Sequence, residues 1–206
     1  MVNLIDKTTC ERKVEMKKRL IQVWDMFDSV YFFCTRLQYL EQITGNTNVF
    51  RVRLTRYKGR DVVLLDGTVI KKNDLLVKIH LHNVRILKEM QCIDDNFKKS
   101  FFLYRKIQAS LPGLAFFIIH HNNNDKIKGI IGITMIDKGY KHLGFESVSL
   151  SSHSYLWFKR IALYPIHLLS RSKPSSKRRK TPTPQYLFMS KDAICEKYGT
   201  FAKNIA

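Results

Sequence analysis

Val49-Phe50-Arg51-Val52-Arg53-Leu54-Thr55-Arg56-Tyr57 and Leu75-Leu76-Val77-Lys78-Ile79-His80-Leu81-His82-Asn83 decide the fold class. Apolar and polar side chains alternate in both, and successive side chains on a strand point to opposite faces, so each reads as a strand with one buried side. The first groups Arg51, Arg53 and Thr55 opposite Val52 and Leu54; the second groups Lys78, His80 and His82 opposite Val77, Ile79 and Leu81. Lys58-Gly59-Arg60 reads as a turn. Asp66-Gly67 separates the apolar runs Val62 to Leu65 and Thr68 to Ile70. That dipeptide suits a type I′ hairpin turn, whose two central residues both need positive φ. Lys71 to Asp74 makes the next turn, and the last strand is expected from Leu75 to Ile86, completing a β-meander.

Helical periodicity flanks the meander. From Val14 to Leu40 apolar residues recur at three- and four-residue steps through Leu20, Trp24, Phe27, Tyr31, Cys34 and Leu37, which predicts a helix. Asp25, Asp28 and Arg36 interrupt its other side before an 18-residue apolar span develops, so it is too polar to cross a bilayer. It either packs in the core or lies against an interface. Asp94 to Leu111 repeats the pattern with Phe97, Phe101, Tyr104 and Ile107, and Pro112-Gly113 is expected to end it. Leu114 to His120 reads as a strand, Asn122 to Asp125 as a turn, Ile130 to Met135 as a further apolar segment, and Ile136 to Leu143 as a short helix closed by Gly144. A last helix is expected over Tyr155 to Ser170. The class is α+β: an antiparallel β-meander or sheet covered on one face by helices. The division is a single domain over 1–170, opened by the amino-terminal helix, and a basic loop and carboxy-terminal segment over 171–206.

Charge limits the function classes. Of 206 residues, 36 are Lys or Arg and 17 Asp or Glu, a net +19, so an anionic partner is implied: lipid headgroups, an acidic or phosphorylated saccharide, or nucleic acid. Tyr155 to Ala206 holds eleven basic and two acidic residues, a net +9. Its Lys177-Arg178-Arg179-Lys180 run sits in a Ser- and Pro-containing stretch and reads as a mobile loop suited to phosphate or membrane contact, or else as a solvated loop. With 45% hydrophobic and 12% aromatic residues, a sizeable core is expected. Cys10, Cys34, Cys92 and Cys195 are widely spaced, which points to reduced and mostly buried thiols. The amino terminus has no secretory pattern, so the expected location is cytoplasmic, possible contact with the membrane surface included.

If the two alternating strands share a sheet, Arg51, Arg53, Lys78, His80 and His82 gather on one face, with Asn83 just beyond. Arg presents a planar fork of donors to phosphate or carboxylate, so this constellation suits an anion. The competing reading is the solvated side of a half-covered sheet. His80 and His82 could also hold a metal with His120 or His121, or one of them could act as general base. No cofactor is expected: glycine-rich phosphate loops, Gly-x-Ser-x-Gly, His-Glu-x-x-His and kinase motifs are all missing from the sequence.

The segments Phe50-Arg51-Val52-Arg53-Leu54-Thr55-Arg56-Tyr57-Lys58-Gly59, Leu65-Asp66-Gly67-Thr68 and Lys78-Ile79-His80-Leu81-His82-Asn83 resemble the YkoP-like domain of Bacillus and its relatives. The likeness extends more loosely from about Trp24 to Leu143-Gly144-Phe145. That family's domain stands alone or is appended to polysaccharide deacetylases, so the resemblance implies cell-envelope or spore polysaccharide as context and a deacetylase as possible partner. It implies no catalytic residues, because the deacetylase's own metal ligands have no counterpart in this sequence. The resulting expectation is a non-enzymatic accessory domain that binds an anionic saccharide or lipid-linked sugar at the membrane face. The alternatives are a hydrolase or transferase using His80 or His82, and a nucleic-acid-binding protein.

Overall fold

The computed structural model describes residues 15, 19, 21–23, 25, 26, 28, 32–40, 48–135, 139–149 and 183–203. The predicted helix over Tyr155 to Ser170 and the Lys177 to Lys180 run lie outside them. The strands are β1 (Gln38–Tyr39), β2 (Phe50–Arg56), β3 (Val62–Val63), β4 (Val69–Ile70), β5 (Leu75–Leu81), β6 (Ile127–Thr134), β7 (Glu146–Ser149) and β8 (Gln185–Ser190). The helices α1 (Asn83–Glu89) and α2 (Asn96–His120) stand between β5 and β6, and α3 (Lys191–Lys203) follows β8. Six strands form one sheet in the order β1-β2-β5-β6-β8-β7. All its pairs are antiparallel except β5 with β6, where the long α1–α2 connection supplies the crossover that a parallel pair needs. The α+β class and the mostly antiparallel sheet are as the sequence predicts, but the expected meander is not formed, because β2 pairs directly with β5 and β3 and β4 make a separate two-stranded sheet.

Helices α2 and α3 cover one sheet face. Ile107, Leu111, Leu114, Ala115 and Ile118 of α2 and Ile194 and Tyr198 of α3 pack with Phe50, Val52, Val77, Ile130, Leu187 and Met189 in the main core. The opposite face has its own cover. The β3–β4 hairpin lays Val62, Leu64 and Ile70 on Leu76, Ile131 and Phe188, and Ile21 of the amino-terminal helical residues packs on Val84 and Leu87 of α1.

Several local expectations are corrected. Pro112 and Gly113 do not end a helix before a strand at Leu114; α2 runs through both to His120. An interior proline costs a helix about 3 kcal/mol. Leu111, Leu114, Ala115 and Ile118 are all fully buried, and each large apolar side chain gains about 1.5–3 kcal/mol from burial. Burial therefore outweighs the proline. The strand from Leu75 stops at Leu81, and Val84, Ile86 and Leu87 are buried on α1 instead. The Asp66-Gly67 turn is not type I′, because only Gly67 has positive φ. Leu64 N donates to Thr68 O and Gly67 N to Leu64 O, a three-residue loop in which Gly67 alone takes the left-handed position. Near Gly144 the described residues form a short 3₁₀ turn over Lys141–Leu143. Cys34 and Cys92 are exposed free thiols rather than buried ones, and Cys195 is partly buried.

The carboxy-terminal segment contributes directly to the core. Met189 and Phe188 of β8 are buried, β8 pairs with both β6 and β7, and Ser190 Oγ accepts from Ala193 N at 2.9 Å, the geometry of a helix cap.

Candidate functional site

The register between β2 and β5 sets Arg51 opposite His80 and Arg53 opposite Lys78. Residues directly opposite on an antiparallel pair project to the same face, so the four groups drawn together from the sequence share one side of the sheet. His82 follows the strand as the residue before α1; its N–H donates to Val49 O. Asn83 opens α1 and is half-buried.

This face is not a simple open surface. Arg51 is only 4% exposed. Its Nη1 lies 2.7 Å from Asp28 Oδ2, in the amino-terminal helical residues, and its Nη2 donates to Tyr39 Oη at 2.9 Å. The guanidinium carbon sits 5.0 Å from the ring centroids of both Phe32 and Tyr39. Arg51 thus joins the sheet to the segment above it through a charge-assisted pair and aromatic contacts. Arg53 is half-buried, with Nη1 donating to Thr35 O at 3.3 Å. The Nε atoms of Arg51 and Arg53 are buried and have no hydrogen-bond partner among the described residues.

His82 Nε2 is 3.7 Å from Asp28 Oδ2, too far for a hydrogen bond. Burial lowers its pKa from the ordinary histidine value, and the neighbouring Arg51 charge lowers it further against the opposing pull of Asp28. The ring is therefore neutral at pH 7, and its proximity to Asp28 is not an ion pair there.

His120 and His121 make local contacts: His120 Nδ1 is 3.0 Å from Phe116 O, and His121 Nδ1 accepts from Asn123 N at 3.0 Å. Among the described residues no three His, Cys, Asp or Glu side chains are grouped to hold a metal. Sequence reasoning missed Asp28, Phe32 and Tyr39 as partners of this face. Asp28 and Phe32 lie within the helix expected from Val14 to Leu40, but the sheet face on which they land was not legible. That helix does not reach Leu40, because Gln38–Tyr39 is strand β1, paired with β2.

No helix among the described residues is long and apolar enough to cross a membrane. No solved structure matches the chain significantly. The chain is 45% identical over 183 residues to the uncharacterised protein YkoP of Bacillus subtilis (strain 168), covering 89% of this chain and 98% of that protein. The YkoP domain profile matches residues 17–198, a span that includes the amino-terminal segment over Arg51 as well as β8 and most of α3. With the match extending across the sheet and both of its covers, the chain belongs to the YkoP domain family.

Proposed function

We propose that this protein is a non-enzymatic accessory domain of cell-envelope or spore polysaccharide metabolism that binds an anionic saccharide or lipid-linked sugar at the cytoplasmic membrane face. The supporting observation is the placement of Arg53 opposite Lys78 and Arg51 opposite His80 on one partly covered sheet face. Directly opposed side chains on neighbouring strands can converge on one ligand, and the planar fork of an arginine suits a phosphate or carboxylate. The buried Arg53 Nε, lacking a partner among the described residues, is a donor suited to the same anion. Arg51 is engaged with Asp28 and holds the face in shape. Arg53 and Lys78 are the principal ligand groups, with His80, His82 and Asn83 at one end. Lys177, Arg178, Arg179 and Lys180 add contacts to lipid or sugar phosphate, and a polysaccharide deacetylase is the protein partner that fits this role.

The test is calorimetric titration with a uronic-acid oligosaccharide and a neutral oligosaccharide of equal length. The anionic sugar alone should bind, and Arg53→Ala or Lys78→Ala should weaken it about tenfold or more, the effect of losing one charged hydrogen bond. Failure of both sugars to bind the folded protein would sink the proposal. A second reading, hydrolase or transferase, draws on the neutral imidazole of His82 beside Asp28, which has the protonation state of a general base. It predicts that His82→Ala abolishes turnover of the same sugar while leaving its binding intact.

A further inference from the structure

The first turns of α2 differ from the rest of the helix. Ile107, Leu111, Leu114, Ala115 and Ile118 enter the core, but Phe97 is 78% exposed and Phe101 57%. The two rings are one helical turn apart and so share a face. Phe97, Lys98, Phe101, Phe102 and Arg105 line one open depression on this surface. The Arg105 guanidinium lies 5.8 Å from the Phe101 ring centroid, and Lys106 Nζ, which pairs with Glu89 at 2.7 Å, lies 5.3 Å from Phe102. Phe102 is partly buried against the main core, so the exposed rings rise from a fixed base.

Single exposed apolar residues are ordinary, but adjoining phenylalanines flanked by cations are not. We infer that the Phe97–Phe101 face of α2 docks on an anionic bilayer surface, with the rings at the acyl boundary and Lys98 and Arg105 at the lipid phosphates. Rings on one helical face with basic side chains beside them are what interfacial binding requires: apolar area to bury and charge to attract. Long basic side chains keep their heads at the phosphate level while their stems cover apolar surface. Asp94 and Asp95 precede the patch; Asp95 is occupied as the helix cap, accepting from Lys98 N at 2.8 Å. A net charge of +19 favours an anionic surface and opposes a second copy of the same chain as occupant.

This inference rests on the membrane-face part of the proposed function and is independent of the saccharide. The experiment is sedimentation of the full chain with phosphatidylglycerol-containing vesicles and with pure phosphatidylcholine vesicles, at low and high salt. It compares wild type with Phe97→Ser/Phe101→Ser and Lys98→Gln/Arg105→Gln, each checked for an unchanged thermal melt. Wild type should bind the anionic vesicles, and the ring variant should bind at least about tenfold more weakly, since interfacial affinity scales with buried apolar area. The charge variant should lose affinity mainly at low salt. Equal vesicle binding by wild type and ring variant would overturn the docking face while leaving the membrane reading intact. No vesicle binding by wild type would overturn both. Oligonucleotide binding that depends on the rings, without vesicle binding, would assign the patch to nucleic acid instead.

Discussion

Asp28 faces the Arg51 guanidinium at 2.7 Å and the His82 ring at 3.7 Å, and both neighbours make it sensitive to substitution. Removing one partner of a buried ion pair leaves the other charge uncompensated, at a cost of about 3–5 kcal/mol. Asp28→Ala should therefore lower stability by about 3 kcal/mol in urea denaturation, whereas the paired change Asp28→Leu/Arg51→Met should cost far less. His82 adds a pH dependence. Its folded pKa is lowered by burial first and by Arg51 second from the ordinary 6.5, so below that value the unfolded chain binds more protons than the folded one. The stabilisation is complete above pH 6.5 and is lost as pH falls through the folded pKa. Urea midpoints should be flat above pH 7 and decline towards pH 5, and His82→Gln should flatten that decline. Asp66 and Glu89 extend the same acid sensitivity to lower pH. Burial opposes ionisation at both, but hydrogen bonds from Ser190 and Thr68 at Asp66, and from Lys106 and Arg85 at Glu89, hold their carboxyls below the usual range. The residue types at 51, 53, 78, 80 and 82 were legible from the alternating pattern. Their partners were not, because Asp28 and Tyr39 reach Arg51 only through the return of the chain.

At the scale of elements, α2 shows how tertiary burial overrides a local stop signal. Its period was read through Phe97, Phe101, Tyr104 and Ile107, and Pro112-Gly113 set its expected end, although Leu111, Leu114, Ala115 and Ile118 continue the same face into the core. Around that proline, Ser110 Oγ accepts from Val49 N at 3.0 Å and donates to Lys106 O at 2.9 Å. Asn48 Nδ2 donates to Ser110 O at 3.1 Å while its Oδ1 accepts from Phe50 N at 2.8 Å. These bonds tie the start of β2 to the helix beside the break. Pro112→Ala should then stabilise the protein by about 1 kcal/mol, less than the full helix penalty because proline also restricts the unfolded chain. Chemical denaturation of the variant measures it, and a loss of stability would show that the proline ring contributes packing that outweighs the missing hydrogen bond. The switch from β5 to α1 has a similar origin. Val84, Ile86 and Leu87 fit a continued apolar strand in sequence, yet as a helix they meet both the main core and Ile21.

Across the whole molecule, the sheet closes only with its last strand. Between β6 and β7, β8 supplies Phe188 to one face and Met189 to the other, and Tyr198 of α3 donates to Leu143 O at 3.1 Å from a buried hydroxyl whose pKa is pushed up to about 12, mainly by burial. A chain ending at 182 would expose an unpaired edge of β6 and remove Phe188 from one core and Leu187, Met189, Ile194 and Tyr198 from the other. It should give no cooperative thermal transition, and calorimetry checks this directly. The signals for this strand and helix were present: Tyr186-Leu187-Phe188-Met189 is an apolar run bounded by Pro184 and by the helix-capping Ser190. They were outweighed by the basic stretch that precedes them, which set the expected boundary at 170. By itself the sequence determined the α+β class, the β2 and β5 strands with their two faces, the helical period of the first half of α2 and the excess of positive charge, because these follow from side-chain alternation, periodicity and composition. Tertiary structure decided that α2 runs through Pro112, that Arg51 is buried against Asp28, and that β8 completes the sheet. Each of these depends on contacts between residues far apart in the chain, whose energies local pattern does not contain.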